Sequence, residues 1–210
     1  MSFEIKIYDN FFDINDFNII NSIKLDHIRS NDIKVYHNEI DKKNIIKQSC
    51  IDKNLIEAIH KKYHQRVFEV LKNLNFDKSK IYDYTDLTII KTGKGYKFPI
   101  HDDTPNKLLS GVIYLHPEIN TGTIFYDNKK GDNKKIIQWK KNRAVFFSRK
   151  ERATWHSYEG NGKSDRVALV YNLMTNKIKD VYKIEKKSYF LGNLRHKINP
   201  YLLEYFKTTI

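Results

Sequence analysis

His101 and Asp103 stand two residues apart in the stretch Gly95-Tyr96-Lys97-Phe98-Pro99-Ile100-His101-Asp102-Asp103, just after an apolar run. On a strand or at its frayed end, side chains at i and i+2 share a side, so the imidazole and the carboxylate can meet one metal ion while Asp102 faces away. His156, in Trp155-His156-Ser157, is the candidate third ligand, and Arg166 follows about ten residues later. Two imidazoles and one carboxylate on one face of an ion leave its other positions open, a donor set suited to Fe(II) with a co-substrate and dioxygen. Cys50 is the single cysteine, so the chain can form no internal disulfide and no thiolate cluster. Any metal must be held by nitrogen and oxygen.

His-x-Asp arises readily by chance in a chain with 8 histidines, and alone it reads as a pair of solvated polar residues. The case rests on conjunction: glycines and an aromatic before the dyad, a β-rich segment after it, a second histidine on a strand and an arginine one strand later. The arginine has a chemical purpose. A dicarboxylate that chelates the ion with one end buries a carboxylate at the other, which needs a planar, permanently charged, bidentate partner. An antiparallel hairpin returns Arg166 beside the His156 strand, although an ordinary strand-edge cation is the plainer alternative. His116, before Pro117, reads as a strand-end residue that replaces His156 only under a different register. His60 and His64 lie four apart on a helix, a metal-binding spacing with no evident third ligand, and read as part of a solvated face. Trp155 reads as core.

The elements that must position these groups are legible in the pattern. Phe3 to Tyr8 alternates as a strand, Asp13 caps a short helix carrying Ile14, Phe17, Ile20 and Ile23, and Ile33 to Tyr36 is a weak strand in polar sequence otherwise read as loop. Asp52 to Leu74 is the clearest helix, with Ile56, Ile59, Tyr63, Val67, Val70, Leu71 and Leu74 on one face. From Ile81 short β-prone runs follow, near Leu87–Lys91, Gly111–Leu115, Thr123–Tyr126, Lys135–Trp139, Ala144–Phe147, Thr154–Tyr158 and Arg166–Tyr171. Gly131-Asp132-Asn133 and Glu159-Gly160-Asn161-Gly162 mark turns. Strands without crossover helices suggest a double-sheet jelly roll. Asn199 before Pro200 predicts a helix start, with Leu202, Leu203, Tyr205 and Phe206 packing on the sheet. The expected class is α+β, mainly β, with helices supporting one sheet. No linker or repeat divides the chain, so one domain is expected over 1–210: supporting strand and helices in 1–80, β core in 81–175 and a helical extension in 176–210.

Composition narrows the function classes. The chain of 210 residues is 40% hydrophobic with 14 Tyr and 12 Phe, which marks it as globular. No apolar run is long enough to span a membrane, and the N-terminus lacks the apolar core of a signal peptide, so a cytoplasmic protein is the expectation. With 38 Lys and Arg against 25 Asp and Glu, the formal charge of +13 allows a polyanionic partner. The lysines are dispersed, however, and nucleic acid is the minority expectation.

Lys91-Thr92-Gly93-Lys94-Gly95-Tyr96, His101-x-Asp103, Val112-Ile113-Tyr114-Leu115, Gly122-Thr123-Ile124-Phe125, His156 and Arg166 together resemble the catalytic core of the Fe(II)- and 2-oxoglutarate-dependent dioxygenases. Within them the resemblance is to the prolyl-4-hydroxylase-like subgroup, and it spans Ile81 to Leu173. It implies a cupin-like double-stranded β-helix with iron bound by His101, Asp103 and His156. Arg166 would hold the distal carboxylate of 2-oxoglutarate, with Tyr114 adding a hydroxyl hydrogen bond. The implied reaction consumes O2 and hydroxylates an aliphatic carbon of a small molecule, sugar or peptide side chain, releasing succinate and CO2. Tyr96, Asp102 and Lys107, around the dyad, are the expected substrate contacts. The sequence departs from the subgroup pattern at Lys91, Asn120-Thr121-Gly122, Asn142 and Ala168. Competing readings are a nucleic-acid-directed oxygenase and a non-catalytic jelly-roll binding protein, and the oligomeric state is open.

Overall fold

The computed structural model describes residues 3–206. The N-terminal part comprises β1 (Ile5–Tyr8), α1 (Ile14–Asn21), β2 (Ile33–Tyr36), β3 (Asn38–Asp41), β4 (Ile46–Ser49), α2 (Lys53–Leu74) and α3 (Phe76–Ser79). The β-rich part follows with β5 (Tyr84–Thr92), β6 (Lys97–His101), β7 (Lys107–His116), β8 (Ile124–Phe125), β9 (Lys135–Ile136), β10 (Ala144–Phe147), β11 (His156–Glu159) and β12 (Arg166–Met174). Helices α4 (Ile178–Ile184) and α5 (Tyr189–Phe206) end the described chain.

The strands form two antiparallel sheets. The larger runs β1-β10-β7-β12-β5-β3-β4, with β2 also pairing β5, and the smaller runs β6-β11-β8-β9. Period-2 alternation gives the large sheet its two faces. Leu87 and Ile89 on β5, Ile113 on β7, and Leu169, Tyr171 and Leu173 on β12 point to one side. There they form the main core with Ile56, Ile59, Tyr63, Val67, Val70 and Leu71 of α2. Burying those six side chains contributes on the order of 10 kcal/mol before the entropy of ordering them is subtracted. The opposite face carries Asp86, Thr88, Ile90 and Thr92 of β5 and Arg166, Val170 and Asn172 of β12, which line a cavity shared with the small sheet. Helices therefore brace one face of the large sheet and leave the other for chemistry.

The predicted Asp13 cap is formed, and Asp52 caps α2 in the same way. Asp13 accepts from the Asp16 amide, and Asp52 accepts from the amides of Asn54 and Leu55. The stretch read as loop after Ile33–Tyr36 instead holds the β3–β4 hairpin. Its turn is organised by Asp41, whose Oδ1 accepts from the amides of Lys43 and Ile45, and by Asn44 in the left-handed region at φ 61°. Side-chain turn chemistry of this kind leaves no hydrophobic period to read. The C-terminal helix also differs from expectation. It starts near Ser188, whose Oγ accepts from the Leu191 amide, and runs through Pro200 as an interior residue. Tyr205 and Phe206 are exposed rather than packed on the sheet, and the side chain of Leu203 lies outside the described residues. No helix among the described residues is long and apolar enough to cross a membrane.

His60 and His64 are not on a solvated face. His60 is 1% exposed, its Nε2 lies 3.1 Å from Thr85 Oγ1, and its ring stacks on His64 with centroids 4.4 Å apart. They sit on the sheet-facing side of α2, and burial pushes His60 down to about 3, with His64 adding to the shift. Between that value and the ordinary 6.5 the unfolded chain takes up a proton that the folded chain refuses. Stability is therefore present above the unfolded value and is lost as pH falls, at up to ~1.4 kcal/mol per pH unit for such a group. Urea unfolding at pH 7 and pH 4.5 should show this loss, and His60→Leu should flatten it, since Thr85 keeps Tyr82 as a hydrogen-bond partner at 2.8 Å. An unchanged acid slope in the variant would refute the assignment.

Candidate metal centre

Strand register brings the histidines together. Antiparallel pairing of β11 with β6 sets His156 directly opposite His101, with ring centroids 4.2 Å apart. Each ring is fixed by the same local device: Nδ1 of His101 donates to the Pro99 carbonyl and Nδ1 of His156 to the Thr154 carbonyl, both at 2.9 Å. A proton held on Nδ1 leaves the Nε2 lone pair to face the cavity, as a metal-binding imidazole requires. Asp103 follows the end of β6, and one donor atom from each of His101, Asp103 and His156 lies within 4.8 Å of the others. His156 Nε2 is 3.9 Å from Asp103 Oδ2. His116, at the end of β7, is not part of this group.

The electrostatics favour a cation. Burial, the largest single influence, would raise the Asp103 carboxyl, but the Lys107 ammonium, His156 and His101 together outweigh it, and the group is held well below the usual carboxylate range. Burial, with His156 beside it, pushes His101 down to about 3. An ionised carboxylate and a neutral imidazole are ready ligands, because neither has to lose a proton near neutral pH to bind a divalent ion. Asp103 accepts from Lys107 Nζ at 2.7 Å and Ser110 Oγ at 2.5 Å, so both of its oxygens are oriented. The N2O donor set and its second ring of hydrogen bonds fit Fe(II).

Arg166 opens β12 opposite Thr92 and is 7% exposed. Its guanidinium lies over the Tyr158 ring at 4.1 Å, and near the rings of Trp139 at 5.5 Å and Tyr114 at 5.8 Å. The other buried arginines, Arg149 and Arg195, are paired with carboxylates. Among the described residues no carboxylate pairs with Arg166, and its Nε has no hydrogen-bond partner. Burial accordingly lowers its pKa, against the pull of Tyr158 and Tyr114. An uncompensated buried guanidinium is costly, and an anion entering the cavity would relieve that cost. Arg166, His101, Asp103 and His156 line one cavity of about 260 Å³.

The remaining predicted residues fall in different places. Tyr96 and Lys107 line this cavity. Tyr114 stacks on Trp139 at 4.4 Å, and its hydroxyl donates to Thr123 Oγ1 at 3.0 Å, so a bond from it to an anion at Arg166 requires that proton to swing away. Asp102 faces away from the ligand group. It is 8% exposed, pairs with Arg195 of α5 and accepts from the Arg152 amide at 2.8 Å. Arg195 also pairs with Glu151, Glu151 with Arg149, and Arg149 with Glu185 at 2.9 Å, which meets Lys78 at 2.6 Å. Arg149 Nε donates to the Asp103 carbonyl at 3.0 Å. This alternating chain of three cations and three anions ties α3, α4 and α5 to the backbone that carries the candidate ligands, and apart from Arg149 and Glu151 its partners are too far apart in sequence for spacing to reveal them.

No protein-family model matches the chain, and no curated protein matches its sequence. Solved structures do share its fold. A prolyl-4-hydroxylase from Pseudomonas putida aligns with a TM-score of 0.56 at 13% identity, covering 83% of this chain and 94% of that one. A 2OG-Fe(II) oxygenase family oxidoreductase from Burkholderia pseudomallei gives 0.57 at 14% identity, with 81% and 84% covered. A prolyl hydroxylase from Trichoplax adhaerens, solved with a hypoxia inducible factor oxygen degradation domain peptide, gives 0.53 at 16%, with 86% and 87% covered. The mixed architecture of helices and mainly antiparallel sheets is thus that of the jelly-roll oxygenases.

Proposed function

We propose that the chain is an Fe(II)- and 2-oxoglutarate-dependent dioxygenase that hydroxylates an aliphatic carbon of its substrate. One observation carries this reading: a buried arginine without a carboxylate shares a cavity with two inward-turned imidazoles and an ionised aspartate. His101, Asp103 and His156 would hold the iron, and Arg166, flanked by Tyr114, would take the distal carboxylate of 2-oxoglutarate by a bidentate contact. When bound, the iron, 2-oxoglutarate and O2 together supply the oxidising chemistry, with succinate and CO2 as co-products. The protein's own part is placement. Lys107 and Ser110 keep Asp103 from rotating, the carbonyls of Pro99 and Thr154 keep both imidazoles in one tautomer, and Phe98 and Phe147 keep water from the cavity wall. The likeness in fold to oxygenases supports this reading, and the peptide-bound neighbour makes a peptide side chain one substrate class to test alongside small molecules.

Anaerobic addition of Fe(II) and 2-oxoglutarate should produce the weak visible charge-transfer band of the chelate. Exposure to O2 with a substrate panel of peptides, sugars and oligonucleotides should release succinate. Absence of both signals would leave a jelly-roll binding protein instead.

A further inference from the structure

We propose that the cavity grips its substrate at a second polar end, formed by Asp86, Asn172 and His37, and that this end takes a cationic nitrogen on an aliphatic stem. The inference deepens the dioxygenase reading and rests on it for the identity of the ligand as substrate. Along the inner face of the large sheet, Arg166 stands opposite Thr92, Val170 opposite Thr88, and Asn172 opposite Asp86. At about 3.4 Å per residue, the Asn172–Asp86 row lies roughly 20 Å along the strand from Arg166, with the floor between formed by Ile90, Val112 and Val170. The two ends are electrostatic opposites. Arg166 is a buried cation without an anion among the described residues. Asp86, with its side chain 15% exposed, has no Lys or Arg within ion-pairing distance among the described residues, and its only such partner is His37, at 3.0 Å. The nearby Lys107 ammonium is committed to Asp103.

The Thr88 hydroxyl also donates to Asp86 Oδ1, and beyond the groups that donate to this carboxylate its neighbours present acceptors. Asn172 Nδ2 donates to Asp86 Oδ2 at 3.1 Å, and Asn172 Oδ1, on a residue 1% exposed, is buried without a donor. His37 Nδ1 donates towards Asp86 Oδ1, which turns Nε2, an acceptor whenever it carries no proton, away from that carboxylate. A carboxylate, an orphaned amide oxygen and an imidazole nitrogen match the N–H groups of an ammonium or guanidinium, and the apolar floor matches its methylene stem.

The test uses the Mn(II)- and 2-oxoglutarate-loaded protein with three probes of one backbone: Nα-acetyl-lysine, Nα-acetyl-arginine and Nα-acetyl-norleucine N-methylamides. Calorimetry should give at least tenfold tighter binding of a cationic probe than of the norleucine probe, and the better of the two distinguishes ammonium from guanidinium. Asp86→Asn should erase that preference while leaving Mn(II) and 2-oxoglutarate affinity unchanged, which also reports an intact fold. Equal binding of all three probes, no binding of either cationic probe, or a preference that survives Asp86→Asn would overturn the proposal. The wild-type comparison alone decides if the variant does not fold. Loss of 2-oxoglutarate binding in the wild type would instead sink the dioxygenase reading, so the two failures are distinct.

Discussion

Arg166→Met should weaken 2-oxoglutarate binding by two to three orders of magnitude and, in the same protein, raise the stability of the unliganded fold. The two effects have one origin. Arg166 is enclosed by Tyr114, Trp139 and Tyr158 and has no carboxylate beside it among the described residues. Its desolvation is therefore uncompensated until an anion arrives. Removing one partner of a buried, hydrogen-bonded charge pair costs ~3–5 kcal/mol, and ~1.4 kcal/mol is a factor of ten in Kd, which sets the size of the binding loss. Replacing a poorly compensated buried charge by an apolar side chain of similar volume typically stabilises by ~1–4 kcal/mol, which sets the sign of the stability change. Arg166→Lys keeps the charge but not the planar fork, and its affinity should fall between the two. Thermal unfolding of the Mn(II)-loaded proteins checks both halves at once: 2-oxoglutarate should raise the midpoint of the wild type and leave that of Arg166→Met where it stands. A variant that still responds to 2-oxoglutarate would exclude Arg166 as its anchor.

How far such a site can be read from sequence depends on how local its causes are. The His101–Asp103 spacing follows from the two-residue period of a strand, which is visible in any short window. That His156 lands opposite His101 depends on the β6–β11 register, which reasoning by strand count reaches only approximately. Arg166 followed from the chemistry of a dicarboxylate joined to hairpin geometry. What stayed hidden depends on partners remote in the chain. Asp102 resembles a rim residue until α5 is in place to put Arg195 against it, and Pro200 disguised where that helix begins. His60 belongs by type to a solvated helix face, yet the stripe of α2 is wide enough to carry it into the core with Tyr171 and Thr85. His37 and Asp86 meet because His37 joins β2 to β3, two short strands that both pair with β5, and the second of these pairings is not legible as a hydrophobic period.

Asp103→Ala should be the most damaging change to metal binding, worse than His156→Ala, although each removes one ligand. Loss of any ligand should exceed the ~10–100-fold that a supporting hydrogen bond is worth. Asp103 carries more than a lone pair, because it also neutralises Lys107, whose ammonium lies 2.7 Å away. Without the carboxylate, that ammonium faces the incoming divalent ion across the cavity and repels it, while in His156→Ala the carboxylate still stands between them. The double variant Asp103→Ala/Lys107→Met should therefore bind Mn(II) more tightly than Asp103→Ala, despite being one step further from the native sequence. Equilibrium dialysis of Mn(II) at pH 7.5 reads all three affinities. If Asp103→Ala retains wild-type binding, the cation sits elsewhere; if the double variant is no better than the single, Lys107 orients the carboxylate without contributing to the field at the ion.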